Sequence, residues 1–196
     1  MYCKRLCAIL LALAMGYMGN AQISHDGVQR GAISGPKNAV KFTLLSLGSG
    51  SVRVTYERAV TARNSAELTV GFIGWGEDIM NDANPQGLLL KAAYKWNLVP
   101  MKGLATPLAG FYVKPELVYA DFDYLFEEHA KHTRQAALLA ECGYQALIHW
   151  LAFDIYAGVG PTLGNGNAHN YYHSFMRFPT DGPLAFTAGF RLGVAF

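Results

Sequence analysis

LAFTAGFRLGVAF, residues 184–196, ends the chain and alternates between two kinds of side chain. Every second residue from Leu184 to Phe196 is apolar, whereas the residues between them are small or polar and include one charge, Arg191. Period-two alternation places the apolar residues on one face of a β-strand and does not suit a helix. The stretch is longer than the roughly five or six residues of an average strand. A strand of about ten residues with one apolar face is typical of a transmembrane β-barrel, so we predict a closing barrel strand here.

The first 21 residues have the layout of a secretory signal peptide. Lys4-Arg5 supplies a positive region, residues 6–15 form an apolar run, and residues 19–21 supply a cleavage site. The run is shorter than the about twenty residues that a spanning helix needs, which disfavours an uncleaved membrane anchor. We predict export by the Sec pathway and cleavage after residue 21. Residues 22–36 are then a polar lead-in, and residues 37–196 form the barrel.

Removal of the signal peptide leaves a formally neutral chain. The whole chain has 16 Lys and Arg against 14 Asp and Glu, and the signal contains two of the basic residues and none of the acidic ones. A neutral chain gives no electrostatic support for nucleic-acid binding, and we predict none. Only Cys142 remains of three cysteines, which excludes an intrachain disulfide. No later apolar run is long enough for a spanning helix, which leaves a soluble all-β protein or a membrane β-barrel.

The chain after residue 37 is predicted to form eight strands. Each strand contains alternating or nearly continuous apolar residues, and most connections contain Gly, Pro, Asn, Ser or charged residues. The predicted strands are residues 38–47, 52–60, 66–75, 87–98, 109–124, 135–148, 151–163 and 184–196. Pro115 lies inside the fifth strand, where proline normally indicates an edge or a bulge. An even number of antiparallel strands, joined in sequence, predicts an all-β up-and-down transmembrane barrel.

The lengths of the predicted connections agree with such a barrel in an outer membrane. With the amino terminus on the periplasmic side, four connections face outward and three face the periplasm. The outward connections are residues 48–51, 76–86, 126–134 and 164–183, and the inward ones are residues 61–65, 99–108 and 149–150. Outer-membrane barrels have long outer loops and short periplasmic turns. The pattern holds except that the first outward connection is short and residues 99–108 are long.

The two faces of the predicted strands favour a membrane barrel over a soluble one. The apolar face carries rings near the strand ends, as interfacial girdles do: Tyr56, Trp75, Tyr94, Trp96, Tyr119, Tyr144, Trp150 and Phe196. The opposite face carries six basic and five acidic side chains: Lys41, Arg53, Lys91, Lys95, Lys114, Arg191, Glu57, Glu67, Glu116, Glu141 and Asp154. Side chains fill the interior of an eight-stranded barrel, where charges are tolerated if they are paired. We predict a charge-paired lumen; the alternative is a soluble periplasmic lipocalin-like barrel with an apolar, ligand-binding interior.

Several short features carry a resemblance to a known class of protein. They are the signal end Asn20-Ala21-Gln22, the strand–turn pattern of residues 51–57 and 66–71, and the terminal residues 190–196. Through them the mature chain resembles the small, porin-like eight-stranded outer-membrane proteins of Gram-negative bacteria, the OmpX and OmpA-transmembrane type. It particularly resembles the short outer-membrane β-barrel proteins of Bacteroides-like bacteria. The family's closing signature has a glycine where Arg191 stands.

This resemblance implies a membrane protein of the cell outer membrane, in contact with outer-membrane lipid. It also implies insertion by the outer-membrane assembly machinery through the C-terminal strand. It implies no single activity, and we predict no cofactor and no enzymatic role. Eight strands leave no aqueous channel, which disfavours a pore.

Histidines in the predicted outer loops are the weak candidates for a metal site: His129, His132, His169 and His173. Imidazole binds zinc or copper, but no spacing here forces these residues together, so solvated loop residues are the favoured interpretation. His173-Ser174 also suggests an alternative function, an outer-membrane enzyme that modifies lipid A. A catalytic pair of this kind needs an oriented third group, which the sequence does not supply, so we predict no catalytic residue.

The long loop before the last strand is the best candidate for binding a surface partner, whose identity is unknown. Aromatic residues and arginine exposed together are typical of protein interfaces. The candidates are Tyr171, Tyr172, Phe175, Met176, Arg177 and Phe178. The alternative is that these rings fold down as a lid or an interfacial belt. We therefore predict a structural or surface-interaction protein.

Overall fold

Eight long strands, each paired with the next along the chain, close into an antiparallel barrel in the computed structural model. The structure describes residues 33, 35–78, 84–104, 106–126, 129–163, 176–178 and 183–196. The strands are β1 (Asn38–Thr43), β2 (Ser49–Ala59), β3 (Asn64–Asp78), β4 (Gln86–Pro100), β5 (Gly110–Phe126), β6 (His129–Ile148), β7 (Leu151–Leu163), β8 (Met176–Phe178) and β9 (Leu184–Ala195). β8 is short and pairs only with β9. The predicted all-β, eight-stranded antiparallel up-and-down barrel is confirmed.

Pairing between the first and last strands closes the barrel. β1 and β9 are antiparallel, in a register from Ala39 opposite Ala195 to Thr43 opposite Arg191. The carbonyl oxygen of Phe196 accepts hydrogen bonds from the backbone N–H groups of Lys37 (3.0 Å) and Asn38 (2.9 Å). A closed barrel leaves no long unpaired edge for another chain to join. We call the end of the barrel that contains Asn38 and Phe196 the terminal end, and the opposite end the loop end.

The alternation in the sequence decides which side chains face inward. On β9, Ala185, Thr187 and Arg191 are buried, whereas Leu184, Phe186 and Val194 are exposed on the outside. The same alternation continues through β4, β6 and β7. Successive side chains of a strand point to opposite faces, so a period-two sequence gives a barrel with two chemically different surfaces. Here the outer surface is the apolar one.

The two largest differences from the predicted strand boundaries lie at the loop end. β1 ends at Thr43, and residues 44–46 form a 3₁₀ turn where a strand to residue 47 was predicted. The predicted charged loop 126–134 is largely strand, because β6 begins at His129 and pairs with β5. Charged side chains on the outward face, which form cross-strand pairs, had obscured the alternation there.

Pro115 lies in a strand with neighbours on both sides, which its sequence position had made doubtful. The β4–β5 ladder pairs Ala93 with Glu116 and then Trp96 with Val113, so it is interrupted beside the proline. The β5–β6 ladder continues past it, with Pro115 opposite Ala140. Proline cannot donate a ladder hydrogen bond, and this local interruption accommodates it within a central strand.

The predicted signal peptide and most of the polar lead-in lie outside the residues that the structure describes, so both stay predictions. Among the described helical residues, no helix is long and apolar enough to cross a membrane.

Candidate functional site

The eleven charged residues that were predicted to face the lumen lie on the inner face of the barrel. They come from eight strands, β1 to β7 and β9, and each is at least nine-tenths buried. Burial of so many charges costs free energy unless each finds a partner of opposite sign. The positions of their charged atoms therefore decide what this interior can do.

Ten of the eleven form one connected network with equal numbers of each charge. Its members are Lys41, Lys91, Lys95, Lys114, Arg191, Glu57, Glu67, Glu116, Glu141 and Asp154, which we call the ionic cluster. Five are basic and five are acidic, so the cluster is formally neutral. A neutral, interlinked set is the arrangement that a low-dielectric interior tolerates best.

Lys41 links the first strand to three acidic residues. Its Nζ lies 2.8 Å from Glu57 Oε2, 2.6 Å from Glu67 Oε1 and 3.1 Å from Asp154 Oδ2. It also donates to Gln145 Oε1 at 3.1 Å. Because these partners lie on β2, β3, β6 and β7, a single ammonium group connects distant parts of the barrel wall.

Arg191 lies on β9, which pairs with the strand of Lys41, β1, to close the barrel. It contacts four carboxylates. Its Nη1 lies 3.1 Å from Glu67 Oε2 and 3.4 Å from Asp154 Oδ2, and its Nη2 lies 3.6 Å from Glu116 and 3.8 Å from Glu141. The guanidinium also lies 4.0 Å from the centre of the Tyr156 ring. Arg191 is thus a central member of the ionic cluster.

Lys114, Lys91 and Lys95 complete the cluster. Lys114 Nζ lies 2.5 Å from Glu67 Oε2, 3.0 Å from Glu116 Oε2 and 3.2 Å from Glu141 Oε2. Lys91 Nζ lies 2.5 Å from Glu116 Oε1, and Lys95 pairs with Glu57. Every carboxylate of the cluster therefore has at least one ammonium or guanidinium partner.

Neutral polar groups that the sequence analysis did not single out also join the cluster. The Tyr112 hydroxyl donates to Asp154 Oδ1 at 2.7 Å, and Ser65 Oγ donates to Glu57 Oε1 at 2.5 Å. Gln145 Oε1 accepts a hydrogen bond from Lys95 at 2.8 Å. These residues share the inward parity of the charged ones, so strand parity was the signal that could have identified them.

Apolar side chains lie on both sides of the ionic cluster along the barrel. Toward the loop end is a cluster of Ile73, Leu89, Val118, Ala120, Phe122, Tyr124, Ala137, Leu139 and Ala185. At the terminal end is a second cluster of Ala39, Leu108, Ala109, Leu147, Ala152 and Ala195. The ionic cluster lies between two apolar layers, where low polarity strengthens each ion pair.

The long β4–β5 connection contributes to the terminal layer. Leu108 and Ala109 are fully buried, and Met101 and Leu104 pack against them. The Asn97 side chain donates to the carbonyl oxygens of Ala109 (2.6 Å) and Pro107 (3.3 Å). The unusual length of this turn, an exception to the predicted pattern, thus supplies side chains that cover one end of the interior.

Arg53 is the eleventh charge, and it lies outside the ionic cluster. It is 8% exposed, and its Nε has no hydrogen-bond acceptor among the residues that the structure describes. Opposite it on β3 stands Gly71, which in turn faces Leu89 of the loop-end apolar layer. Arg53 therefore lies between the ionic cluster and the loop-end layer.

The outer face of the barrel is apolar and carries aromatic rings at two levels. Toward the terminal end, Tyr56, Trp96 and Tyr144 are exposed, as are Trp150 and Phe196; toward the loop end, Trp75 and Tyr119 are exposed. Between these levels, Leu68, Leu90, Leu117, Leu138 and Ile155 are each about half exposed, at 45–62%. The side chains exposed between the two aromatic levels are therefore apolar.

Two of the four candidate histidines lie on β6. His132 Nδ1 is 2.8 Å from Asp123 Oδ1, and its Nε2 is 3.2 Å from Asp121 Oδ1, on the exposed face of the β5–β6 hairpin. His129 is exposed near the start of the strand. Across the described part of the chain, no group of three or more metal-ligating side chains forms a metal site.

The remaining histidines and the aromatic loop lie where the structure says little. His169, His173 and Ser174 are outside the described residues, as are Tyr171, Tyr172 and Phe175. Only the backbone of Met176, Arg177 and Phe178 is described, as strand β8. These candidates stay predictions.

Comparison with known proteins shows the fold and no family. No protein-family model matches the chain, and no curated protein matches its sequence. The crystal structure of the N-terminal β-barrel domain of Pseudomonas aeruginosa OprF superimposes on this chain with a TM-score of 0.53 and 12% sequence identity. The match covers 83% of this chain and 100% of that domain. The chain therefore has a closed eight-stranded barrel fold similar to the OprF N-terminal domain.

Proposed function

We propose that this protein is an outer-membrane β-barrel with a side-chain-filled lumen, in a structural or surface-interaction role. The observation that carries the proposal is the polarity of the two faces. Large apolar side chains are exposed around the outside, while the ionic cluster is buried inside. A soluble barrel has the opposite arrangement, since contact with water favours polar side chains outside. Lipid is the solvent that this outer surface suits.

The interior favours a structural role over a pore. The ionic cluster spans the lumen, and apolar layers lie above and below it. An eight-stranded barrel has little interior space beyond its own side chains. Ion-paired carboxylates are also poor general bases, because proton uptake by one of them would leave its cationic partner uncompensated. These features support a lumen that holds the wall together rather than one that conducts or catalyses.

Heat-modifiable electrophoretic mobility in isolated outer membranes tests the proposal. A closed barrel resists detergent until it is boiled, so we expect the protein to migrate differently before and after heating. We also expect it to stay in the membrane pellet after a urea wash. Recovery in the soluble periplasmic fraction, with no mobility change, would contradict the proposal and favour the lipocalin-like alternative.

We further propose that loops at the loop end contact a surface partner through residues 171–178. The support is compositional, since aromatic residues and arginine are enriched at protein interfaces. Replacing Tyr171, Tyr172 and Phe175 by Ser changes no residue of β8. We expect it to remove a crosslinked partner while the heat-dependent mobility change is kept. The β5–β6 hairpin provides the control, in which Asp123→Asn with Arg134→Gln is expected to keep the partner. An unchanged crosslinking pattern in the serine variant would contradict this role.

A further inference from the structure

The ionic cluster and Arg53 together contain one more positive charge than negative. The cluster has five basic and five acidic members and is neutral without Arg53. No described residue forms an ion pair with Arg53, and its Nε donor has no acceptor. The Glu116 carboxylate attracts Arg53 from beyond ion-pair distance, but it is already paired with Lys91 and Lys114. A buried guanidinium without a counterion is costly, whereas all the neighbouring basic groups are compensated. Arg53 thus adds one positive charge to an otherwise neutral interior. A bound ligand with a negative charge would balance it.

A second unused donor lies beside Arg53 on the same inner face. Thr55 Oγ1 and Thr69 Oγ1 are 2.7 Å apart, and both residues are buried. One hydroxyl donates to the other, so the hydroxyl that accepts keeps its own hydrogen. No other described residue accepts a hydrogen bond from this pair. Thr55 follows Arg53 by two residues, so the guanidinium and the hydroxyl pair project from neighbouring positions on one side of the lumen.

Arg53 also lies where β1 leaves the barrel wall. The β1–β2 pairing ends at Phe42 opposite Val54, and the next residue of β1, Thr43, is its last. Beyond it, the 3₁₀ turn Leu44–Ser46 takes the place of the strand, with Leu44 and Leu45 exposed on the outer surface. The Arg53 side chain faces the lumen, at the level where the β1–β2 pairing ends and the turn begins.

We infer that Arg53, with the Thr55–Thr69 hydroxyl pair, forms a binding site for a phosphate group. A guanidinium offers a planar fork of N–H donors that fits phosphate oxygens, and a hydroxyl donor adds a further hydrogen bond. A phosphate-bearing anion would supply the negative charge that the interior lacks. The phosphate comes either from inorganic phosphate in the surrounding water or from the headgroup of a membrane lipid.

The test uses the full mature chain, folded in maltoside micelles in a buffer without phosphate or sulfate. Inorganic phosphate is titrated at constant ionic strength, and its ³¹P line width and the thermal unfolding midpoint of the barrel are measured. A second arm adds lysophosphatidic acid, a single-chain lipid with a phosphate monoester, to the micelles. The comparison variants are Arg53→Gln and Arg58→Gln, since Arg58 is an exposed arginine of the same strand.

We expect wild type and Arg58→Gln to broaden the phosphate signal and to gain thermal stability with ligand, and Arg53→Gln to do neither. Ligand that binds only the folded state raises stability with its concentration, which makes the midpoint a binding readout. An Arg53-dependent effect of inorganic phosphate identifies water as the source. An Arg53-dependent effect of the lipid alone identifies the membrane. Equal responses of Arg53→Gln and Arg58→Gln in both arms would overturn the inference.

Arg53→Lys keeps the test decisive if Arg53→Gln fails to fold. Lysine keeps the charge and lacks the guanidinium fork, so we expect phosphate affinity to fall about tenfold, as for the loss of one charge-assisted hydrogen bond. Affinity equal to that of wild type would show that the fork makes no contact and would overturn the site. The heat-dependent mobility change reports the barrel separately, so failure of this inference is distinguishable from failure of the proposed function.

Discussion

Glu67→Gln is expected to lower the free energy of unfolding by about 3–5 kcal/mol, the cost of breaking a buried ion pair by removing one partner. Glu67 contacts three basic groups: Lys41 Nζ at 2.6 Å, Lys114 Nζ at 2.5 Å and Arg191 Nη1 at 3.1 Å. Glutamine has nearly the same shape but no charge, so all three cations lose a counterion. The ionic cluster would then have five basic members and four acidic ones. Urea titration of the barrel folded into phospholipid vesicles, followed by electrophoretic mobility, measures the effect.

Asp123→Asn is the matched control for this substitution. Its carboxylate pairs with His132 on the outer face of the β5–β6 hairpin, and its side chain is 70% exposed. Exposed pairs contribute little because water and salt screen them. We expect its unfolding midpoint to stay close to that of wild type. A Glu67→Gln barrel as stable as the Asp123→Asn barrel would show that the ionic cluster does not hold the wall together.

Gly193→Ala is expected to destabilise the closing seam of the barrel and to reduce the fraction of protein that shows heat-dependent mobility. Gly193 lies on β9, opposite Lys41 of β1 on one side and Ala152 of β7 on the other. A Cβ at this position would collide with the carbonyl oxygen of Val40 and would lie 2.7 Å from Lys41 Cα. Backbone atoms cannot rotate away as a side chain can, so β1 and β9 must separate. Overpacking typically costs about 1–3 kcal/mol, and we expect at least the upper value here because the obstacle is backbone.

Ala188→Val adds more atoms to the same strand without this collision. Ala188 is exposed on the outer face of β9, where a larger apolar side chain would meet only lipid. We expect this variant to fold with the same heat-dependent mobility as wild type, since valine suits a lipid-facing strand position. If Gly193→Ala and Ala188→Val barrels close to the same extent, the tight approach of β1 and β9 is not a requirement for closure.

Glu67→Gln and Gly193→Ala both disturb contacts that hold β1 and β9 together. Lys41 lies on β1 and Arg191 on β9, and both contact Glu67 and Asp154. The charges that the first and last strands bring together are therefore compensated by acids from β3 and β7. Closure of the wall and full assembly of the ionic cluster are expected to be cooperative, because the Lys41–Asp154 and Arg191–Glu67 pairs form only when β1 and β9 have paired.

The sequence by itself determined the strands and their two faces. Alternation in residues 184–196 and in most other strands is a local property, because a strand turns each successive side chain to the opposite face. It was sufficient to predict eight antiparallel strands and the inward parity of the charged residues. Where polar side chains faced outward as well, as with His132 and Arg134 of β6, alternation of polarity was lost and a loop was predicted instead.

Only the tertiary structure decided which charges meet. Lys41 and Asp154 are far apart in the sequence, and their ion pair depends on the register and closure of the whole sheet. Strand parity cannot specify register around a barrel. It therefore could not predict that Arg53 lies outside the ionic cluster and has no ion-pair partner among the described residues. The end of β1 at Thr43 was likewise a property of the closed wall, since residues 44–46 bond as a turn between β2 and β9. Parity is local, whereas charge pairing is set by strands that are distant in sequence.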